Sequence, residues 1–174
     1  MDAIKITSGK YRGRAIRSPR SNLTHPMGAR EKLALFNMVR GVLSGAKVLD
    51  AFAGSGALGI EALSNGAESV VFVEKAPTVA KVAKENLALL DLTANARVLV
   101  GDAEKFESDE KFDLIIADPP YDNFKLSAIE HLVSFLADGG TLVLSHPGEA
   151  PELPGLELLK SNHYAGACLS VYHK

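Results

Sequence analysis

The chain has a single cysteine, Cys168, among its 174 residues. One thiol excludes an internal disulfide and a cysteine-based zinc site. It fits a reduced, cytoplasmic setting. No apolar run approaches the roughly 20 residues needed to cross a bilayer, so no membrane role is expected. The opening residues, MDAIKITSGK, are charged and alternating and lack the apolar core of a signal peptide. The histidines His25, His131, His146, His163 and His173 are scattered and pair with no acid or cysteine at ligand spacing, so no metal is expected. Internal repeats, low-complexity segments and long linkers are also missing. A chain of this length reads most simply as one domain, long enough to bury a full core, and a monomer is the default.

The net charge of −2 conceals an asymmetry. Residues 1–47 carry ten basic side chains against only Asp2 and Glu31, a net +8, which leaves −10 on the remainder. Such a split suggests a basic arm for a polyanion on an acidic body. The bland alternative is a solvated lysine and arginine face.

Along the chain, AIKITSGKYRGRAIRSP alternates apolar and polar residues around Ser8-Gly9, a hairpin signal closed by Pro19. SNLTHPMGAR is a loop. REKLALFNMVRGVL spaces Leu33, Phe36, Val39 and Leu43 for an amphipathic helix that ends near Ser44-Gly45. From Lys47 onward, short buried strands alternate with helices: KVLDAF, GALGIEALSNGA, SVVFVE, APTVAKVAKENLALLDL, ARVLVGD, KFDLIIADPPY, KLSAIEHLVSFLADGG, GTLVLSH. This alternation predicts a parallel α/β sheet. The tail, LELLKSNHYAGACLSVYHK, reads as two strands around Ala165-Gly166 that finish the sheet with an antiparallel strand. The composition break divides a basic extension, residues 1–46, from an α/β body, residues 47–174.

The first strand runs into DAFAGSGALG, residues 50–59, which contains Gly54-x-Gly56-x-x-Gly59. Glycines admit close backbone approach, and the following helix start offers unpaired N–H groups. A nicotinamide cofactor and S-adenosylmethionine can both use such a loop. Asp50 discriminates between them. A carboxylate there repels a pyrophosphate but suits the ammonium and sulfonium of the methyl donor. Glu74 ends the second strand, where an acid can accept from both ribose hydroxyls of either cofactor. Asp102 follows the third strand. It is placed to bond an adenine amine, with the Ala103 N–H on a ring nitrogen, or to cap the short helix it heads.

IIADPPY, residues 115–121, follows the fourth strand. Pro119 and Pro120 remove two backbone donors and hold the preceding residues extended. Asp118, the Pro119 carbonyl and the Tyr121 ring are thereby fixed relative to one another. A nucleobase amine is a poor nucleophile because its lone pair is delocalised into the ring. A carboxylate and a carbonyl, each accepting one of its hydrogens, localise that lone pair and aim it at a methyl sulfonium. Tyr121 offers a face for a base that has left its stack.

The series DAFAGSGALG, VFVEKA, VGDAEKF and IIADPPYD resembles the class I S-adenosylmethionine methyltransferases of amino groups. With ITSGKYRGRAI and HPMGAREKLALFNMV added, the chain resembles the RsmD family over nearly its whole length. These are bacterial methyltransferases of the guanine N2 amine in 16S ribosomal RNA. The resemblance implies a Rossmann-like seven-stranded sheet with an antiparallel last strand, and methyl transfer without a metal. It implies donor contacts at Asp50, Ala51, Phe52, Gly54, Ser55, Gly56, Glu74, Lys75, Asp102 and Ala103. It places the target amine at Asp118, Pro119, Pro120 and Tyr121. The small ribosomal subunit or its RNA is the implied partner, held by Lys10, Arg12, Arg14, Arg17, Arg20 and Arg30 of the basic extension. One departure stands out. The family pattern has Arg-Pro-Thr ahead of the first helix, where this chain has His25-Pro26-Met27, with Arg30 one helical turn on. Rival readings are a DNA adenine N6-methyltransferase, a nicotinamide-dependent oxidoreductase and a silent RNA-binding protein of the same fold. The motifs alone do not separate guanine N2 from adenine N6.

Overall fold

The computed structural model describes residues 3–19, 27–164 and 166–174. Strands β1 (Ala3–Lys5) and β2 (Ala15–Arg17) form the expected hairpin, with Ile4 opposite Ile16. It is wider than a turn at Ser8-Gly9 would make it. Residues 6–14 form a loop with tight turns from Gly9 to Arg12 and from Tyr11 to Arg14. The ends of the loop still pair across the hairpin, Ile6 with Arg14 and Gly13, while its middle bonds the body of the protein. The Lys10 N–H donates to the Ser64 carbonyl at 2.7 Å. Gly9 lies so close that an added Cβ would stand 2.0 Å from that same oxygen.

The single helix expected over residues 30–43 is broken. Helix α1 spans Ala29–Met38 and α2 spans Arg40–Leu43. Between them Val39 leaves helical geometry at φ −106° and ψ 11° while its side chain stays in the core. A β-branched residue close ahead of Gly41 is a weak point in a helix.

The body contains β3 (Lys47–Asp50), α3 (Ala57–Ser64), β4 (Ser69–Glu74), α4 (Pro77–Leu89), β5 (Ala96–Val100), β6 (Phe112–Ala117), α5 (Leu126–Val133), β7 (Leu136–His146), β8 (Glu157–Tyr164) and β9 (Ala167–His173). Its seven strands lie in the order β5-β4-β3-β6-β7-β9-β8. The first five in this order are parallel, and β9 runs antiparallel to both of its neighbours. The seven-stranded sheet with its antiparallel last strand is therefore as expected. One helix boundary is not. The helix expected through Gly139-Gly140 ends at Val133, and β7 already begins at Leu136. Leu136 pairs with Phe112, and the register then jumps so that Thr141 faces Leu114. The glycine pair marks a bulge in the strand, not a helix stop.

Alternate strand residues face opposite sides. Val48, Phe72, Ile116, Val143 and Val171 join the core shared with α1, α2 and α3. Leu49, Val71, Ile115, Leu144 and Tyr172 join the core under α5. No helix among the described residues is long and apolar enough to cross a membrane.

Buried polar groups tie the extension to the body. Glu61 on α3 is fully buried. One of its oxygens accepts from the Thr7 N–H at 2.5 Å and the Thr7 hydroxyl at 2.7 Å. The other accepts from the Ser8 N–H and hydroxyl, both at 3.2 Å. Lys32 of α1, equally buried, pairs with Glu61 at 3.4 Å and donates to the Lys5 carbonyl at 2.8 Å. Burial lowers the Lys32 pKa, and Glu61 acts against that. Asn86 on α4 accepts from the Arg17 N–H at 2.8 Å and donates to the Arg17 carbonyl at 3.0 Å. Removing one partner of a buried pair strands the other charge. Glu61→Ala is therefore expected to cost about 3–5 kcal/mol. Loss of the exposed Arg17–Glu85 pair should cost less than about 1 kcal/mol. Urea denaturation midpoints compare the two, and equal small shifts would contradict the anchoring role.

Candidate active site

The strand order reverses between β3 and β6, and a parallel sheet binds ligands at the carboxyl ends of its strands beside such a reversal. A cavity of about 780 Å³ opens there. That is room for a nucleoside-sized ligand and more. Asp50 and Glu74 end their strands, Asp102 and Asp118 lie just beyond theirs, and Ser145 is the last residue but one of β7, so all five stand at the carboxyl edge of the parallel strands. Ala51, Phe52, Gly54, Ser55, Glu74, Lys75, Asp102, Ala103 and the whole Asp118–Tyr121 motif line the cavity. The extension adds Pro19, Met27, Gly28, Glu31 and Lys32 to its wall.

Two of the named residues, Asp50 and Gly56, do not line it. Asp50 sits beneath the glycine loop, wholly out of solvent, and its Oδ2 accepts from the Gly59 N–H at 2.8 Å. Its Oδ1 is buried with no hydrogen-bond partner. Burial pushes the Asp50 pKa up to about 7; the Gly59 bond opposes this, and the nearby Asp118 and Glu74 carboxyls add to it. The role of Gly59 is packing. An added Cβ would stand 2.2 Å from the Phe72 ring, so only glycine lets α3 seat this closely on β4.

Glu74 holds the loop from the side. Its Oε2 accepts from the Gly54 N–H at 2.9 Å and its Oε1 from the Ala76 N–H at 2.8 Å. Each oxygen keeps a lone pair for a further donor. Asp102 does cap its short helix, accepting from the Glu104 N–H at 3.1 Å. Its other oxygen pairs with Lys75 at 2.7 Å, and that bond holds its pKa below the usual carboxylate range.

On the opposite wall, Asp118 is pushed up to about 6 by burial, and the adjacent Ser145 hydroxyl acts against that shift. Tyr121, half-buried, hydrogen-bonds the Ser145 hydroxyl, and burial raises its pKa. Sequence reasoning missed Ser145, Asn86 and the Lys32–Glu61 pair. Asn86 also donates to the Ser55 carbonyl at 2.9 Å, so the glycine loop and the extension share one anchor. The signal for Ser145 was its place one residue before the end of a parallel strand, near the level of the recognised acids.

Of the expected RNA-binding residues, Lys10, Arg12, Arg14, Arg17 and Arg30 are exposed and lie outside the cavity. Arg17 also pairs with Glu85 at 2.8 Å. Arg20, His25 and Pro26 lie outside the described residues.

The model of a family described as Conserved hypothetical protein 95 matches residues 4–173. The chain belongs to this family, the RsmD family. Ribosomal RNA small subunit methyltransferase D of Escherichia coli is 36% identical over 80% of this chain and 69% of its own length. YlbH of Bacillus subtilis, named as a candidate rRNA methyltransferase, is 34% identical over 98% of this chain and 99% of its own. Among solved structures, yhhF of Escherichia coli, a candidate methyltransferase, superimposes with a TM-score of 0.90. It is 30% identical and the match covers 99% of this chain and 98% of that one. The Rossmann-like methyltransferase fold and the RsmD-family assignment thus agree with the site at the strand ends.

Proposed function

We propose that this protein transfers a methyl group from S-adenosylmethionine to the exocyclic N2 amine of a guanine in small-subunit ribosomal RNA. The observation that carries the reading is one cavity with two unlike walls. Glu74, Asp102 and the glycine loop suit a nucleoside on one side. Asp118-Pro119-Pro120-Tyr121 suits a planar amine on the other. The buried, unpartnered Oδ1 of Asp50 fits a cationic donor, because a positive charge above the loop compensates a carboxylate that nothing else pairs.

When bound, the donor supplies an electrophilic methyl group. The protein's own residues do the rest. Glu74 is placed for the ribose hydroxyls and Asp102 with the Ala103 N–H for the adenine edge. Asp118 and the Pro119 carbonyl accept the hydrogens of the target amine and turn its lone pair toward the donor side. Tyr121 stacks on the extruded base, a contact worth roughly 1–3 kcal/mol. Residues 1–46 form an RNA-holding extension and residues 47–174 a catalytic body, acting as a cytoplasmic monomer.

Calorimetric titration with S-adenosylmethionine and, separately, NADH tests the donor assignment. Binding of the methyl donor alone is the expected result. Binding of NADH alone would overturn it. The RNA surface has its own test. Phosphate contacts make log affinity fall with log salt by about 0.9 per contact. Replacing Arg12, Arg14 and Arg17 together by glutamine should flatten that slope by about two to three. An unchanged slope would move the RNA surface elsewhere.

A further inference from the structure

Strands β6 and β7 run side by side, with Ala117 in register with Leu144. The residues that follow are Asp118, just past the end of β6, and Ser145, one residue before the end of β7, so the two stand as neighbours at the edge of the sheet. Ser145 is 2% exposed. Its hydroxyl is hydrogen-bonded to the Tyr121 phenol, and both residues line the cavity. A serine hydroxyl has one hydrogen to give and two lone pairs. With the phenol donating to it, its own hydrogen is available for the Asp118 carboxylate, which can only accept.

We propose that Ser145 is a positioning residue for the target amine: it takes the Tyr121 hydrogen bond, gives its own to Asp118, and so locks the acceptor carboxylate and the stacking ring into one unit. This rests on the methyl-transfer reading for its purpose, though not for its geometry. A lone Asp118 in this half-buried place would tend to hold its proton, and a protonated carboxyl is a poorer acceptor for an amine hydrogen. The Ser145 hydroxyl opposes that protonation. The other charged groups of this cavity are Glu31 and Lys32 from α1, Glu74 and Lys75 at the end of β4, Asp102 and Glu104 beyond β5, and Asp122 and Lys125 beyond β6, with Asp50 beneath the loop. Six of these are acids, and the three lysines are already paired, Lys32 with Glu61, Lys75 with Asp102 and Lys125 with Glu104. Among the described residues, the Ser145 hydroxyl is thus the neighbour that favours the carboxylate.

The test is a carbon-13 NMR titration of aspartate carboxyl groups in the whole protein, with Asp118 assigned through Asp118→Asn. The wild-type carboxyl should titrate at about 6. In Ser145→Ala it should move to higher pH, and in Ser145→Thr, which keeps the hydroxyl, it should stay. In the transfer assay, Ser145→Ala should lower kcat about tenfold, leave the KM for the methyl donor unchanged and shift the acid limb of the rate profile upward. An unmoved Asp118 titration in Ser145→Ala would overturn the proposal, as would a Ser145→Thr protein that shifts as far as Ser145→Ala. A wild-type protein that transfers no methyl group would sink the functional reading instead, and the carboxyl titration would still decide the role of Ser145.

Discussion

Asp118→Ala is expected to bind S-adenosylmethionine normally and to transfer its methyl group at least about 10²-fold more slowly. The proposed donor contacts at Glu74 and Asp102, and Asp50 beneath the loop, are untouched by the change. What is lost is an acceptor held by two prolines at the place where the amine must present its lone pair. The Pro119 carbonyl remains, so the residual rate should stay above zero. The pH dependence follows from the same group. With a pKa of about 6, Asp118 is protonated in acid and activity should rise with pH through that value. Turnover near the wild-type rate in Asp118→Ala, measured by labelled methyl transfer at saturating donor, would remove Asp118 from the mechanism.

Asp50→Asn should produce two effects of opposite sign. The carboxyl of Asp50 has a pKa raised from 3.8 to about 7, chiefly by burial. A raised pKa in an acid means that the folded state binds its proton more tightly than the unfolded chain. Stability of the donor-free protein must therefore fall as pH rises from about 4 to about 7, and the full cost persists above that. The cost is of the order of a few kcal/mol, since a tenfold difference in proton affinity between the folded and unfolded chains is worth about 1.4 kcal/mol. Asparagine keeps an acceptor for the Gly59 N–H and carries no charge. The donor-free variant should thus melt higher than wild type at pH 8 and much like it at pH 4. Its affinity for the methyl donor should fall, because the buried carboxylate that a cation would compensate is gone. Thermal melts at the two pH values with a donor titration separate these effects. A variant less stable at pH 8 than wild type would show that Asp50 is a structural hydrogen-bonding group rather than a stored charge.

Much of this is legible in the sequence because both signals are local. Alternation of apolar strands with amphipathic helices is a property of each segment, so the α/β body and its antiparallel finish can be read directly. The acids at strand ends stand out because every strand end of a parallel sheet opens on the same side. The rest depends on distant contacts. Glu61 reads as one polar position on an apolar helix, and only the folded chain brings Thr7, Ser8 and Lys32 around it. In sequence Asp50 reads as an acid facing the ligand, whereas the fold places it under the loop, where it acts through burial. The break at Val39 has only a weak local mark, a β-branched residue close ahead of Gly41, and the bulge at Gly139-Gly140 is hidden because a glycine pair reads equally well as a helix stop. Ser145 carries no charge and belongs to no motif, so its strand-end position is its only mark.

On the proposed reading this site methylates the guanine N2 amine of small-subunit ribosomal RNA. The most direct measurement is incubation of the purified protein with methyl-labelled S-adenosylmethionine and small ribosomal subunits that lack the modification, followed by digestion of the RNA to nucleosides. Label is expected in N2-methylguanosine, at one site per subunit. Label in N6-methyladenosine, or transfer to DNA and none to the subunit, would contradict it.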